Sequence, residues 1–374
     1  MTRSNDLDWV RLGDYIEAVD ERNSEGKFHL EDVKGMTITK EIIPTKANLT
    51  GNDLQKFLVV NREEFVYNPR THGKKIGLGY NDTGKPFLIS WNNIAFRIKD
   101  KSKLLPLYLY MHFNRDEWDR QACYNSWGSS TEVFSWYALC DMMIPLPSIE
   151  RQREIVDTWQ GLRKMKEENE AIAAPLLQLC QSYIQDLKHK YPMIELGDNI
   201  EEITRTNAEG KFGFEDVRGV SNAKTMRDYK GSLAGRNVTK FLLIEENEFV
   251  FNKRTNAGMG LCLVKDRPYL FTEDYEAFRV VDKNKLLPDF LYLFFIQKDF
   301  DRYILFNSWG SSVIFFHIDD MKHFRLPIPP VEIQQAVVDI YRCANEAKQI
   351  AEEADRLSHD ICPALMQHVI HENQ

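Results

Sequence analysis

The chain contains one unit written twice. RLGDYIEAVDERNSEGKFHLEDVKG at 11–35 returns as ELGDNIEEITRTNAEGKFGFEDVRG at 195–219, and KFLVVNREEFVYNPRT at 56–71 as KFLLIEENEFVFNKRT at 240–255, both with an offset of 184 residues. The offset falls to 182 for NIAFRIKDKSKLLP (93–106) against YEAFRVVDKNKLLP (275–288), and stays there for the identical hexapeptides Asn125–Ser130 and Asn307–Ser312, both NSWGSS. IPLPSIERQREIV (144–156) and LPIPPVEIQQAVV (326–338) close the repeat at the same offset, so one two-residue length change between about 72 and 92 accounts for everything. A duplicated fold tends to a pseudo-twofold arrangement, and its natural ligand has two similar halves.

Each repeat begins as a mixed α and β globular part. Phe57-Leu58-Val59-Val60 and Phe65-Val66-Tyr67 read as short strands between Asn-Pro, Gly and Asn-Asp turns. KLLPLYLYMHFNRDEWDRQ (103–121) and KLLPDFLYLFFIQKDFDRY (285–303) each predict one helix, entered through Pro106 or Pro288 at a first-turn position.

Each repeat ends differently, in a long seam. Ile155, Trp159, Leu162, Lys166, Asn169, Ile172, Leu176, Leu179, Tyr183 and Leu187 follow three- and four-residue steps, as do Ile333, Val337, Ile340, Ala344, Ala347, Ala351, Ala354, Leu357 and Ile361. Pro175 and Pro363 should kink or split these helices. The expected layout is α+β: globular parts at 1–147 and 192–329, a spacer helix at 148–191 and another at 330–374. Pseudo-twofold symmetry requires the two helices to run antiparallel, as a coiled-coil spacer of roughly 60 Å if unbroken.

Composition narrows the function. A net charge of −8 argues against a uniformly basic nucleic-acid binder, but the acid concentrates after residue 330, and basic residues gather in Gly/Asn/Thr-rich loops. Six cysteines without a C-x-x-C pair suit reduced thiols, and no apolar run approaches the roughly 18 to 20 residues of a membrane span. With no basic-then-apolar leader at the N-terminus, a cytoplasmic location is expected.

On these features, above all LGDYIEAVD, EEFVYNPRTHGKKIGLG, SWGSSTEVFSWYALCDMMIPLPSIERQREIV and their second-half counterparts, the chain resembles the specificity subunit of a Type I restriction-modification enzyme. The resemblance covers nearly the whole length. It implies two target recognition domains reading a bipartite double-stranded DNA sequence, with the helices docking two methyltransferase subunits and restriction/translocase subunits joining for cleavage. It implies a chain with no catalytic residues and no cofactor of its own, S-adenosylmethionine belonging to the methyltransferase partners. A protein-interaction scaffold that never touches DNA is the alternative.

The residues agree with a non-catalytic role. YNPRT at 67–71 lacks the second proline of an amino-methyltransferase motif, and GYNDTGKP (79–86) carries Pro86 where a phosphate-binding loop needs Ser or Thr, so a turn is expected there. NSWGSS fits either a phosphate-facing turn using Asn125, Ser129, Asn307 and Ser311, or a structural turn with Trp127 anchored in the core; the buried Trp127 is the expected reading. Candidate DNA contacts are Lys34, Lys40, Lys46, Arg70, His72, Lys74 and Lys75 in the first repeat. In the second they are Arg218, Lys224, Arg227, Lys230, Arg236, Lys253, Arg254 and Asn256. Arg70 and Arg254, shared by both repeats, suit phosphate or the fold, whereas differing positions such as His72 against Asn256 suit sequence reading. His359, Cys362, His368 and His371 follow helical spacing, but no metal is expected because the first repeat has no matching set.

Overall fold

A computed structural model describes residues 7–49, 51–71, 75–128, 132–255 and 258–371, with side chains from Asp8 to Ser358. It divides into two compact units, 1–168 with 350–374, and 169–349. Each unit therefore holds one globular repeat and part of each long helix.

The first unit is built on a four-stranded antiparallel sheet ordered Ile16–Val19, Ile94–Ile98, Phe65–Tyr67, Leu78–Tyr80. Two-stranded ladders join Leu58–Val60 to Phe87–Ile89, Lys34–Met36 to Ile42–Pro44, and Leu7–Arg11 to Met143–Pro147. The second unit repeats this order with Ile200–Glu202, Tyr275–Val280, Glu248–Asn252 and Leu261–Leu263, and repeats all three ladders. Short helices α1 (Pro106–Phe113), α2 (Asp116–Tyr124) and α3 (Trp136–Asp141) precede the long α4 (Ile149–Lys190). Their counterparts are α5 (Pro288–Phe295), α6 (Lys298–Asn307), α7 (Ile318–Lys322) and the long α8 (Val331–His371).

Aromatic cross-strand pairs hold each sheet to its helices. Phe65 stacks on Phe96 at 5.0 Å, and Phe113 of α1 meets Phe65 edge-on at 5.8 Å; Phe249, Phe278 and Phe295 repeat the trio at 4.9 and 5.5 Å. Among the described residues, three unbonded polar groups of the first core are replaced in the second. The Tyr67 hydroxyl, His112 Nδ1 and Trp118 Nε1 are buried without a hydrogen-bond partner, and the second repeat places Phe251, Phe294 and Phe300 there.

The expected single helix over 103–121 is two, as is that over 285–303. Asn114 stops α1 by donating its side-chain amide to the Tyr110 carbonyl at 2.8 Å, satisfying a group the helix end would orphan. A buried glutamine then ties the globular part to the long helix. Gln152 accepts from the Leu105 N–H at 2.9 Å and donates to the carbonyls of Lys103 and Pro147; Gln334 does the same for Leu287, Lys285 and Pro329.

Both long helices run without interruption through their prolines, contrary to expectation. Pro175 and Ala171, whose carbonyl loses its partner, are exposed, so water replaces the missing bond. The α8 seam lies where the spacing put it, with Val337, Ala344, Ala347, Ala351 and Ala354 buried. On α4 the expected seam holds at Ile155 and Leu187, but between them it passes through Ala173, Cys180 and Ile184, while Ile172, Leu179 and Tyr183 face outward. Two apolar phases coexist on that helix. The alanine-rich face of α8 favours the phase carrying the smaller Ala173 and Cys180, because small side chains allow close helix approach. Lys166 pairs with Asp355 at 2.8 Å in the first unit, and in the second Cys180 and Tyr341 belong to or pack on one core, the order of antiparallel helices.

Candidate nucleic-acid interface

The interface begins where α2 and α6 end. Asn125 donates its amide to the Gln121 carbonyl at 2.8 Å and the Ser126 hydroxyl to that of Ala122, while Asn307 and Ser308 bond Tyr303 and Ile304 likewise. Asn and Ser of the hexapeptide thus cap a helix C-terminus. The glycine turns the chain: Gly310 has φ of 140°, and a Cβ there would lie 2.0 Å from the Val313 carbonyl oxygen.

The chain then folds back on itself. Trp127 and Val133 exchange backbone hydrogen bonds of 3.2 and 3.0 Å, and Val133 bridges to Arg70 on its other side. Trp309, Phe315 and Arg254 form the same row. Directly opposed residues of antiparallel segments project to one face, so each unit displays a tryptophan and an arginine on the same face, with Val133 or Phe315 between them.

Trp127 is not the expected core anchor. It is 79% exposed and Trp309 61% exposed. The next inward position, Phe134 or Phe316, is fully buried and fills the core in its place. Tyr124, Tyr137, Leu305 and Phe306 extend the exposed apolar surface nearby in sequence. Aromatic side chains held in water beside an arginine suit contact with a surface that is both charged and flat-faced, as a nucleic acid is.

The basic candidates separate into groups. Lys34, Lys46, Arg70 and Lys230 have no side-chain ion pair among the described residues, and of these Lys46, Arg70 and Lys230 are exposed. Lys75 pairs with Asp116 at 3.3 Å, Arg236 with Glu273 at 2.7 Å and Arg254 with Asp274 at 3.2 Å, while Lys253 bonds the Glu273 carbonyl at 3.1 Å. Arg218 lies over the Tyr269 ring of another strand at 5.1 Å, and Arg227 bonds the carbonyls of Val220 and Asp228 within its own hairpin, so both are engaged inside their unit. Ser311 is exposed on the turn. His72, Lys74, Ser129 and Asn256 lie outside the described residues.

Lys40 and Lys224 must be withdrawn as DNA contacts. Lys40 is buried, with its ammonium 2.8 Å from Asp119, 3.0 Å from the Ile76 carbonyl and over the Trp118 ring; Lys224 bonds Asp301 at 2.7 Å and the Met259 carbonyl at 2.8 Å. Burial pushes the Lys40 amine below its ordinary pKa, and the Asp119 hydrogen bond opposes that shift. Each lysine locks a hairpin (34–44 or 218–228) onto the helical side of its unit, at a positive φ of 65° or 62°. The matching Lys and Asp in both repeats, Lys40 with Asp119 and Lys224 with Asp301, were the available signal. Lys40→Met should cost about 3 kcal/mol, because it leaves Asp119 buried without its cation; urea melts of the variant check this.

GYNDTGKP is a turn in which Asn81 bonds the Val60 and Lys85 carbonyls, linking two sheets with no helix after it. Among the described residues no cluster could hold a metal, and the side chains of His359, Cys362, His368 and His371 lie outside them.

Residues 188–342 match the family model of the Type I restriction modification DNA specificity domain. Residues 188–342 thus form a Type I restriction-modification specificity domain. The S subunit of a Type I restriction-modification system from M. genitalium has the same fold: 14% identity, TM-score 0.63, covering 99% of this chain and 98% of that one. The HsdS subunit from Thermoanaerobacter tengcongensis aligns at 15% identity over 99% of this chain and 97% of its own, with a TM-score of 0.41. No curated protein sequence matches the chain. A DNA specificity domain implies recognition of a DNA sequence. No described helix is long and apolar enough to cross a membrane.

Proposed function

We propose that the chain is the non-catalytic specificity subunit of a Type I restriction-modification complex, each unit reading one half of a bipartite duplex target through its exposed tryptophan and neighbouring arginine. The observation that carries this reading is the Trp127–Val133–Arg70 row and its repetition as Trp309–Phe315–Arg254. Arginine can fix phosphate or a guanine edge, and the indole can press on sugars, thymine methyls or an unstacked base.

The outward face of α4 supports a protein partner. Ile172, Leu179 and Tyr183 recur at seven- and four-residue steps and are exposed, the pattern by which one helix presents a second stripe to another. We assign this stripe to docking of the methyltransferase subunits, which bring S-adenosylmethionine; restriction/translocase subunits join that assembly, in the cytoplasm.

Removing either indole tests the DNA reading. Trp127→Ala and Trp309→Ala should each weaken binding to duplex DNA by a factor on the order of 10, if each indole contributes the ~1–3 kcal/mol typical of base–aromatic contact. Arg70→Ala should lower the slope of log affinity against log salt by about 1. Titrations of fluorescent duplex at several salt concentrations measure both. Unchanged affinity in all three variants contradicts the reading and favours the protein-only scaffold.

A further inference from the structure

The two units share their strands but not the loop that closes on the arginine. Ile89 and Phe271 end equivalent strands, opposite Leu58 and Leu242, so Ser90-Trp91-Asn92 occupies the place of Thr272-Glu273-Asp274. In the second unit this loop reaches the arginines directly. Asp274 holds Arg254 at 3.2 Å and Glu273 holds Arg236 at 2.7 Å through Oε2 alone. In the first unit Tyr67 faces Ile94, so Arg70 and the Trp91-Asn92 pair leave the same end of the same two strands. Both carboxylates are absent there. Asn52 stands where the second unit has Arg236, Arg70 has no ion pair among the described residues, and Trp91 is 60% exposed.

We propose that this loop is a specificity determinant that makes the two units select chemically opposite bases: Trp91 and Asn92 leave the first unit to favour keto bases, whereas Glu273 and Asp274 turn the second toward amino bases. The inference rests on the DNA-reading function proposed above. A free guanidinium forks onto guanine O6 and N7, and an exposed indole gives apolar contact to a thymine methyl. A carboxylate has about four acceptor sites, so Glu273 keeps acceptor capacity after binding Arg236 and can take an amino proton from cytosine N4 or adenine N6. The arginines themselves are common to both units. The surrounding loop supplies the difference.

Exchange of the loops tests the assignment. Full-length wild type, Trp91→Glu/Asn92→Asp and the reciprocal Glu273→Trp/Asp274→Asn are each used to select from a pool of duplex DNA with a randomised centre. Circular dichroism and the melt of each protein verify folding, and Asn92→Asp alone is the milder variant if the double change unfolds the first unit. Wild type should enrich two unlike half-sites. The first exchange should move at least one position of one half-site from G or T to C or A, by a factor on the order of 10 in preference, and leave the other half-site as it was; the reciprocal exchange should do the opposite in the other half. Retained enrichment with unchanged bases in both exchanges overturns this inference while leaving DNA reading intact. Changes in both half-sites from one exchange overturn it too. Failure of wild type to enrich any sequence, alone or with its methyltransferase, overturns both proposals together.

Discussion

Gln334→Leu is expected to destabilise the second unit by about 3–5 kcal/mol, since it strips one buried and two part-buried backbone groups of their partner and an unsatisfied buried group costs ~1–3 kcal/mol. The side chain is fully buried, and its amide is the shared partner of the Leu287 N–H and of the Lys285 and Pro329 carbonyls. Leucine matches the volume and supplies none of these bonds. Gln334→Glu keeps the acceptor for Leu287 but faces two carbonyl oxygens with a carboxylate, so it should be at least as damaging. A domain holds only about 5–15 kcal/mol in all, so either variant should bring α5 close to local opening. Hydrogen exchange across Pro288–Phe295 reads the effect, with the equivalent Pro106–Phe113 in the first unit as the internal control.

His112→Phe is expected to make the first unit more resistant to acid. His112 is buried with Nδ1 unbonded, and burial, helped by Arg115, depresses its pKa from 6.5 to about 3. The ring therefore stays neutral in the fold while the unfolded chain takes up a proton below pH 6.5. Its depressed folded pKa means that the stability present above 6.5 is lost progressively as the pH falls toward 3. The loss runs at ~1.4 kcal/mol per pH unit, about 2 kcal/mol by pH 5. The second repeat already carries Phe294 at this place and should lack this contribution. Six of the seven tryptophans, including buried Trp118, lie in the first unit, so urea melts followed by tryptophan fluorescence at pH 7 and pH 5 report it selectively. A pH-independent difference between His112→Phe and wild type would contradict the assignment.

How much of this was legible in the sequence depended on whether the signal was local. The duplication, the strands around Phe57–Val60 and Phe65–Tyr67, and the proline-started helices follow from residue order alone, and all are found. The fate of Lys40 does not: a lysine between Thr and Glu in a turn reads as solvated, and only the position of Asp119, 79 residues on, turns it inward. Trp127 misled for a related reason. A large aromatic beside a glycine turn is usually an anchor, but the strand alternation gives the inward place to Phe134. The α4 seam slipped because Ile172-Leu176-Leu179-Tyr183 and Ala173-Cys180-Ile184 both recur at helical spacings, the first by threes and fours and the second by seven and four; which one is buried depends on the alanines of α8, far away in the chain. Gln152 and Gln334 were visible only as letters in a shared motif, since no local pattern marks a glutamine two of whose three backbone partners lie 47 and 49 residues away.

The central claim, that the tryptophan–arginine face of each unit meets DNA, is tested most directly by photo-crosslinking. A benzophenone amino acid is placed in the full chain at 127, at 309, or at 172 on the outward face of α4, and each protein is irradiated with randomised duplex DNA at low salt, with and without the methyltransferase. Adducts with DNA at 127 and 309, and with the methyltransferase rather than DNA at 172, are the expected result. DNA adducts at 172 with none at 127 or 309 would contradict the account.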